Sequence, residues 1–310
     1  MRIFVTGATG FIGSAVVREL IDAKHSVIGL ARSDAGAKSL IAAGAEVLRG
    51  DLADLESLRS GAASSDGVIH TAFIHDFSKF KENCEIDKRA IEALGSALEG
   101  SDRLLLVTSG LALLASGRAA TEQDAPDLTS DSYPRASEVT AVSLAARRVR
   151  ASVIRLPQVH DRVKQGLVTY LIKIARAKGV SAYVGDGRNR WAAVHVLDAA
   201  RLYRLALEEG TAGAKYHAVA EQGVPVREIA EAIGRGLKLP TVSVSAEQAG
   251  EHFGALGLFA GLDLVASSAL TQKWLDWRPT QTGLMDDLDH ARDFEPEGAK
   301  SDEGRYAARK

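Results

Sequence analysis

The sequence predicts an α/β fold built on a doubly wound parallel sheet, and three observations carry that expectation. Short β-branched runs alternate with longer stretches of helical period from the first residues to about position 160. The runs are apolar throughout, as strands covered on both faces must be. A glycine-rich segment falls at the junction of the first run and the first helical stretch.

Taken in order, Ile3 to Thr6 is the first strand, and Ile12, Ala15, Val16 and Leu20 mark one face of the first helix. An apolar run from Ser26 to Ala31 leads to a helix after Asp34. A run from Glu46 to Leu48 leads to a helix after Asp54. Gly67 to Ala72, a helix from about Glu82 to Leu98, the very apolar Leu104 to Val107, a helix after Pro134 and the run Ser152 to Leu156 complete the series. Beyond about residue 160 the rhythm loosens. Leu167, Leu171 and Ile174 mark a helix, Gly185-Asp186-Gly187 a turn, and Trp191 to Val196 an extended run. Ala199, Leu202 and Leu205 mark another helix. Val226, Ile229, Ala230, Ile233 and Leu237 mark a strongly amphipathic one.

Composition narrows the function classes. Of 310 residues, 46% are hydrophobic, enough to bury one or two cores. The net charge of -2 offers no cationic footprint for a nucleic acid or an anionic membrane, so the expected partners are small molecules or protein. A single cysteine, Cys84, forms neither an internal disulfide nor a multi-thiolate zinc site, and the expected compartment is the reducing cytoplasm. The N-terminal apolar stretch breaks at Gly7, and the longest later run, Phe253 to Leu262, is too short for a membrane span of roughly 18 residues. Eight histidines fall without metal-ligand spacing, so no metal is expected. No Gly-x-Ser-x-Gly elbow supports a serine hydrolase.

Thr6-Gly7-Ala8-Thr9-Gly10-Phe11-Ile12-Gly13 sits between strand and helix, the context in which glycines serve a diphosphate. Gly7 permits the sharp turn, Gly10 lets backbone approach the phosphates, and Gly13 lets the helix pack on the strand. The helix start offers unpaired N–H groups and a positive dipole end. Arg32 stands 19 residues beyond Gly13, where an NAD site wants an acid for the ribose. A cation followed by Ser33 suits a 2'-phosphate instead, so NADP (NADPH) is expected and NAD less so. In the alternative reading, Arg32 is a solvated strand end and Asp34 serves the ribose. Asp51 either accepts from an adenine amino group or caps the next helix.

These motifs, with Gly50-Asp51-Leu52, Val68-Ile69-His70-Thr71-Ala72, Val107-Thr108-Ser109, Arg155-Leu156-Pro157-Gln158-Val159-His160, Val194-His195-Val196-Leu197-Asp198 and Trp277-Arg278-Pro279, resemble the short-chain dehydrogenase/reductase superfamily. The resemblance is to its extended and atypical branch, which includes the NAD-dependent epimerase/dehydratases, and covers nearly all of residues 1–290. It implies a Rossmann fold and a cofactor site made of Gly7, Thr9, Gly10, Phe11, Ile12, Gly13, Arg32, Ser33, Asp51, Leu52, Thr71, Ala72, Pro157 and His160. Thr71 and Ala72 would lie along the ribose, and the Pro157–His160 loop would face the nicotinamide. A homodimer is a further expectation by analogy alone.

The family's catalytic pattern is a Ser or Thr after the fifth strand and a Tyr-x-x-x-Lys on the next helix. Ser109 fills the first slot. The second departs, because Tyr133 is followed four residues on by Ser137, not lysine. A phenol that titrates near about 10 needs neighbouring positive charge to work at neutral pH, and Arg135 is the nearest cation. Pro134 suits a first helical position and biases Tyr133 toward an extended conformation outside the helix. Three readings stay open: Tyr133 as proton donor, Arg135 with Ser109, or no acid at all.

The division expected is a dinucleotide-binding domain over 1–160 with contributions from 190–220, a substrate lobe mainly over 161–294, and a flexible tail over 295–310. Trp274 and Trp277 are expected to anchor the small lobe's core. His70 reads as a satisfied strand histidine, and His75, with Phe73 and Phe77 after the fourth strand, as loop packing in preference to substrate contact. The function expected is an NADP-dependent oxidoreductase acting on a carbonyl/alcohol pair. The alternatives are a sugar-nucleotide epimerase or dehydratase, and a non-catalytic NADP sensor.

Overall fold

The computed structural model describes residues 1–112, 114–115, 117–126 and 136–294. The strands are β1 (Arg2–Thr6), β2 (Ser26–Ala31), β3 (Glu46–Arg49), β4 (Gly67–His70), β5 (Leu104–Gly110) and β6 (Arg150–Leu156), then β7 (Gln158–His160), β8 (Ser181–Val184), β9 (Arg190–His195) and β10 (Lys215–His217). Among the described residues seven of them form one parallel sheet in the order β10-β6-β5-β4-β1-β2-β3. Chain order reverses between β1 and β4, which opens a crevice at their carboxyl ends.

Period-two alternation feeds two cores from one sheet. Ile3, Val5, Ile69, Leu104 and Leu106 pack on one face with α1 (Phe11–Asp22) and α2 (Asp34–Ala42). Phe4, Val68, Leu105 and Val107 pack on the other with α3 (Leu55–Ala63), α4 (Phe80–Leu98) and α5 (Ser137–Ser143). This is why the strands read as continuous apolar runs.

A third core belongs to the C-terminal half. There α6 (Leu167–Lys178) packs with β8 and β9, while α7 (Val196–Glu209) returns to lie on α1 in the first core. β11 (Glu221–Pro225) pairs antiparallel with β9, and β9 pairs parallel with β7. α8 (Val226–Leu237) buries Ile229 and Ile233, and β12 (Thr241–Val244) pairs with β8. α9 (Ala249–Phe253), α10 (Gly257–Ala260), α11 (Ala269–Leu275) and α12 (Leu284–Asp289) complete the described chain.

One expectation is corrected here. Trp277 is fully buried, but in the first core, where its Nε1 donates to the Asp198 carbonyl at 3.0 Å. Trp274 is 47% exposed and meets Tyr216 edge-on. The cause is the path of the chain: α11 packs on α7 and on the edge strand β10, carrying both tryptophans away from the small lobe. The expected tail, 295–310, lies outside the described residues. Among those described, no helix is long and apolar enough to cross a membrane.

Asp198, 1% exposed, joins this returning segment to α7. Its carboxylate accepts from the backbone of Thr280 and Gln281 at 2.9 Å and from Arg201 at 2.9 Å. Asp198→Ala leaves these donors without an acceptor and is expected to cost about 2–4 kcal/mol in urea unfolding. Asp198→Asn, which keeps one acceptor oxygen, is expected to cost less.

Candidate functional site

The turn after β1 is held by contacts that only glycine permits. Gly7 has φ +67°, and a Cβ there would stand 2.7 Å from the Ala72 nitrogen. A Cβ at Gly13 would stand 2.1 Å from the Gly7 carbonyl oxygen. The turn is closed by Gly10 N–H donating to Gly7 O at 2.8 Å, and Thr71 Oγ1 donates to Thr6 O at 2.8 Å. The ends of β1 and β4 and the start of α1 therefore meet at one point. α1 has no side-chain cap and no acid in its first turn, unlike α2, capped by Ser33, and α3, capped by Asp54. Its free amides suit an anion, so the cradle fits a dinucleotide's diphosphate.

A cleft of about 760 Å³ opens above this point. Gly7, Thr9, Gly10, Phe11, Ile12 and Gly13 line it, as do Arg32, Asp51, Leu52, Thr71, Ala72, Ser109 and Pro157. Arg32 is exposed and makes no hydrogen bond or ion pair among the described residues. Asp34, its rival for the ribose, is instead paired with Arg49 at 2.6 Å. Ser33 does not line the cleft; its hydroxyl accepts from Gly36 N at 3.1 Å to cap α2. Asp51 accepts from Ala53 N at 2.7 Å, while Asp54 takes the capping role at α3.

His160 is not brought to the cleft. It is fully buried, its Nδ1 lies 2.8 Å from Asp287 in α12, and its ring meets His195 edge-on. The loop is turned inward by Gln158, whose Oε1 accepts from Leu167 N at 3.1 Å and whose amide donates to Gln165 O. Pro157 thus faces the cleft, and His160 ties its floor to the small lobe.

At the end of β5, Thr108 Oγ1 donates to His70 O at 2.7 Å and lies 2.6 Å from the Tyr203 hydroxyl. The hydroxyl of the next residue, Ser109, is in the cleft wall and has no hydrogen-bond partner among the described residues. Tyr133 and Arg135 lie outside the described residues. The helix that follows them is committed to the core. Ser137 donates to Asp87 at 2.5 Å, Asp87 lies 3.0 Å from His70 Nε2, and His70 Nδ1 lies 2.8 Å from Thr6 Oγ1, all buried. Glu138 accepts two bonds from the fully buried Arg155, at 2.7 and 2.5 Å. Neither side chain can take the lysine's role. His70 is the satisfied strand histidine that was expected.

Sequence reasoning missed Lys164, Tyr170 and Trp191, which line the cleft together with Ile74 and with Phe73 and His75, for which substrate contact was the second reading. Lys164 Nζ lies 5.6 Å over the Phe11 ring. Lys164, Tyr170 and Trp191 had no motif to mark them; only the return of the C-terminal half over the sheet brings them there.

Residues 3–220 match the NAD dependent epimerase/dehydratase family. An uncharacterized protein of Schizosaccharomyces pombe is 52% identical over 291 residues, 93% of this chain and 98% of that protein. A decarboxylating sterol-4-alpha-carboxylate 3-dehydrogenase of Dictyostelium discoideum is 24% identical over 243 residues, 73% of this chain and 74% of the relative. Among solved structures, the dTDP-glucose 4,6-dehydratase of Streptomyces venezuelae with NAD bound has a TM-score of 0.74 at 21% identity, covering 94% of this chain and 95% of that one. At that identity the likeness is one of fold.

Beneath the site, Arg155 also donates to His217 Nε2 at 3.0 Å, and His217 Nδ1 donates to Ser267 O at 2.8 Å. An imidazole with one nitrogen accepting must be neutral. Burial, then the Arg155 charge, push His217 down to about 4. The unfolded chain takes this proton first, near about 6.5, so the stability His217 contributes is full above that pH and is lost as pH falls toward 4. Over that window the unfolding free energy is expected to drop by about 2–3 kcal/mol more in the wild type than in His217→Gln, by urea unfolding at successive pH values.

Proposed function

The chain belongs to the NAD dependent epimerase/dehydratase family, and from that premise we propose that it is an NADP-dependent oxidoreductase acting on the carbonyl/alcohol pair of a small molecule. The observation that carries this reading is a single cleft running from the glycine turn and the unpaired Arg32 to the unpartnered hydroxyl of Ser109. The amides at the start of α1 hold the diphosphate, and Arg32 pairs with a 2'-phosphate, since Asp34 is engaged by Arg49. When bound, the nicotinamide supplies hydride exchange with a carbonyl carbon.

The chain's own part is to place the carbonyl and stabilise charge on its oxygen. Ser109 donates to that oxygen. A second donor, Tyr133 or Arg135, completes the pair in place of the Tyr-x-x-x-Lys arrangement. The commitment of Ser137 and Glu138 to buried partners favours one further reading, a protein that binds NADP without chemistry.

Arg32→Asp is expected to weaken NADPH about 10- to 100-fold more than NADH in fluorescence titrations. Equal weakening of both removes the 2'-phosphate assignment. Across a panel of aldehydes and ketones, Ser109→Ala is expected to lower kcat about 100-fold at unchanged NADPH affinity. Tyr133→Phe is expected to cost about 100-fold in turnover; an unaltered rate hands the donor role to Arg135. Binding without turnover across the whole panel establishes the sensor.

A further inference from the structure

Beyond Ser109 the cleft changes character. Phe73, Ile74 and Phe80, after β4, line it, together with Tyr170, Phe259 and Leu264 from the C-terminal half. Tyr170, Phe259 and Leu264 are the cleft-side edge of the lobe's own apolar core. The substrate end is therefore made from the same material as that core.

Charge is scarce there among the described residues. Among the described residues, the lysine and arginine side chains that line the cleft are Arg32, at the end of β2, and Lys164, whose ammonium lies over Phe11 of the glycine turn. Both sit at the dinucleotide end. Lys173 lies 5.5 Å over the Tyr170 ring but is exposed and does not line the cleft. His75 packs edge-on against Phe73 at 5.3 Å. A sugar nucleotide brings a second diphosphate, and charge-assisted contacts for it are not found among these residues.

Besides His75 and the Tyr170 hydroxyl, this part of the lining includes one buried polar atom. Trp191 lines the cleft at 2% exposure, and its Nε1 is buried without a hydrogen-bond partner among the described residues. It is held in place by β9, where Ala192 N–H donates to Leu264 O at 3.0 Å. A buried donor lacking an acceptor is a standing penalty, and a ligand oxygen removes it.

We propose that the outer half of the cleft binds an uncharged, predominantly apolar carbonyl compound or its alcohol, with an acceptor oxygen against Trp191 Nε1, and not a sugar nucleotide. This rests on the reading of the site as a nicotinamide-dependent oxidoreductase, and names the substrate class of that site. Apolar walls supply affinity by area, and the buried indole donor supplies orientation.

Binding tests this without turnover. The intact protein is loaded with Nile red, a neutral apolar dye, which is then displaced with 2-acetonaphthone, UDP-glucose or dTDP-glucose. The ketone is expected to displace the dye at least about 10-fold more tightly than either sugar nucleotide. Tighter displacement by a sugar nucleotide, or no displacement by the ketone, overturns the proposal. Tyr170→Glu and Leu264→Asp locate the site: each is expected to weaken the ketone about 10-fold while NADPH affinity changes by less than about 2-fold. Unchanged ketone affinity in both places the ketone elsewhere and also overturns it. Trp191→Phe keeps the ring and removes the N–H, so it is expected to weaken 2-acetonaphthone more than its hydrocarbon analogue 2-ethylnaphthalene; equal effects remove the hydrogen bond. Failure of the dinucleotide reading appears separately, as no NADPH fluorescence change in a protein from which the ketone still displaces the dye.

Discussion

The close approach of three backbone segments at Gly7 and Gly13 is the constraint on which the site depends. With no space for a Cβ at either position, the end of β1, the start of α1 and the residues after β4 converge within van der Waals contact. That contact aims the uncapped amides of α1 at the crevice where the sheet reverses its strand order. Move it by one side chain and the walls supplied by Thr71, Ala72 and Ser109 no longer share an opening with the turn.

A second constraint comes from buried polar groups that must be satisfied. Thr6, His70, Asp87 and Ser137 link β1, β4, α4 and α5 through one hydrogen-bonded chain. Arg155, Glu138 and His217 link α5 to β6 and β10. These networks take up Ser137, four residues after Tyr133, and Glu138, so these side chains in the first turn of α5 are structural rather than chemical. A buried network has to be complete, because each orphaned member costs more than its bond contributes. Asp287 shows the same logic on the small lobe: burial opposes its charge, but bonds from His160 and Thr282 hold the carboxyl below its usual range.

The small lobe does more than cover the sheet. Gln158 and His160 turn the chain inward after β6, α12 clamps His160, and β9 carries Trp191 to the cleft. The return of α7, β10 and α11 to the first core then locks the two cores together. Trp277 belongs to that lock, which is why a residue deep in the C-terminal half is buried against a helix of the sheet layer.

The alternation of apolar runs with helical periods, the glycine turn and Arg32 were legible because each is local: strand burial, turn geometry and the end of β2 are set by neighbours a few residues away. The sheet, its helices and most of the cofactor-side cleft lining follow from these. Contacts between residues far apart in the chain were not legible. Nothing near His160 announces Asp287, 127 residues on, and nothing near Glu138 announces that Arg155 and His217 consume it. Ser33 as a cap, Asp34 paired with Arg49, and the apolar walls meeting at Trp191 are likewise products of packing. Local backbone preference is written in the sequence, whereas the choice of partner for a buried charge or ring depends on which elements the folded chain brings within reach.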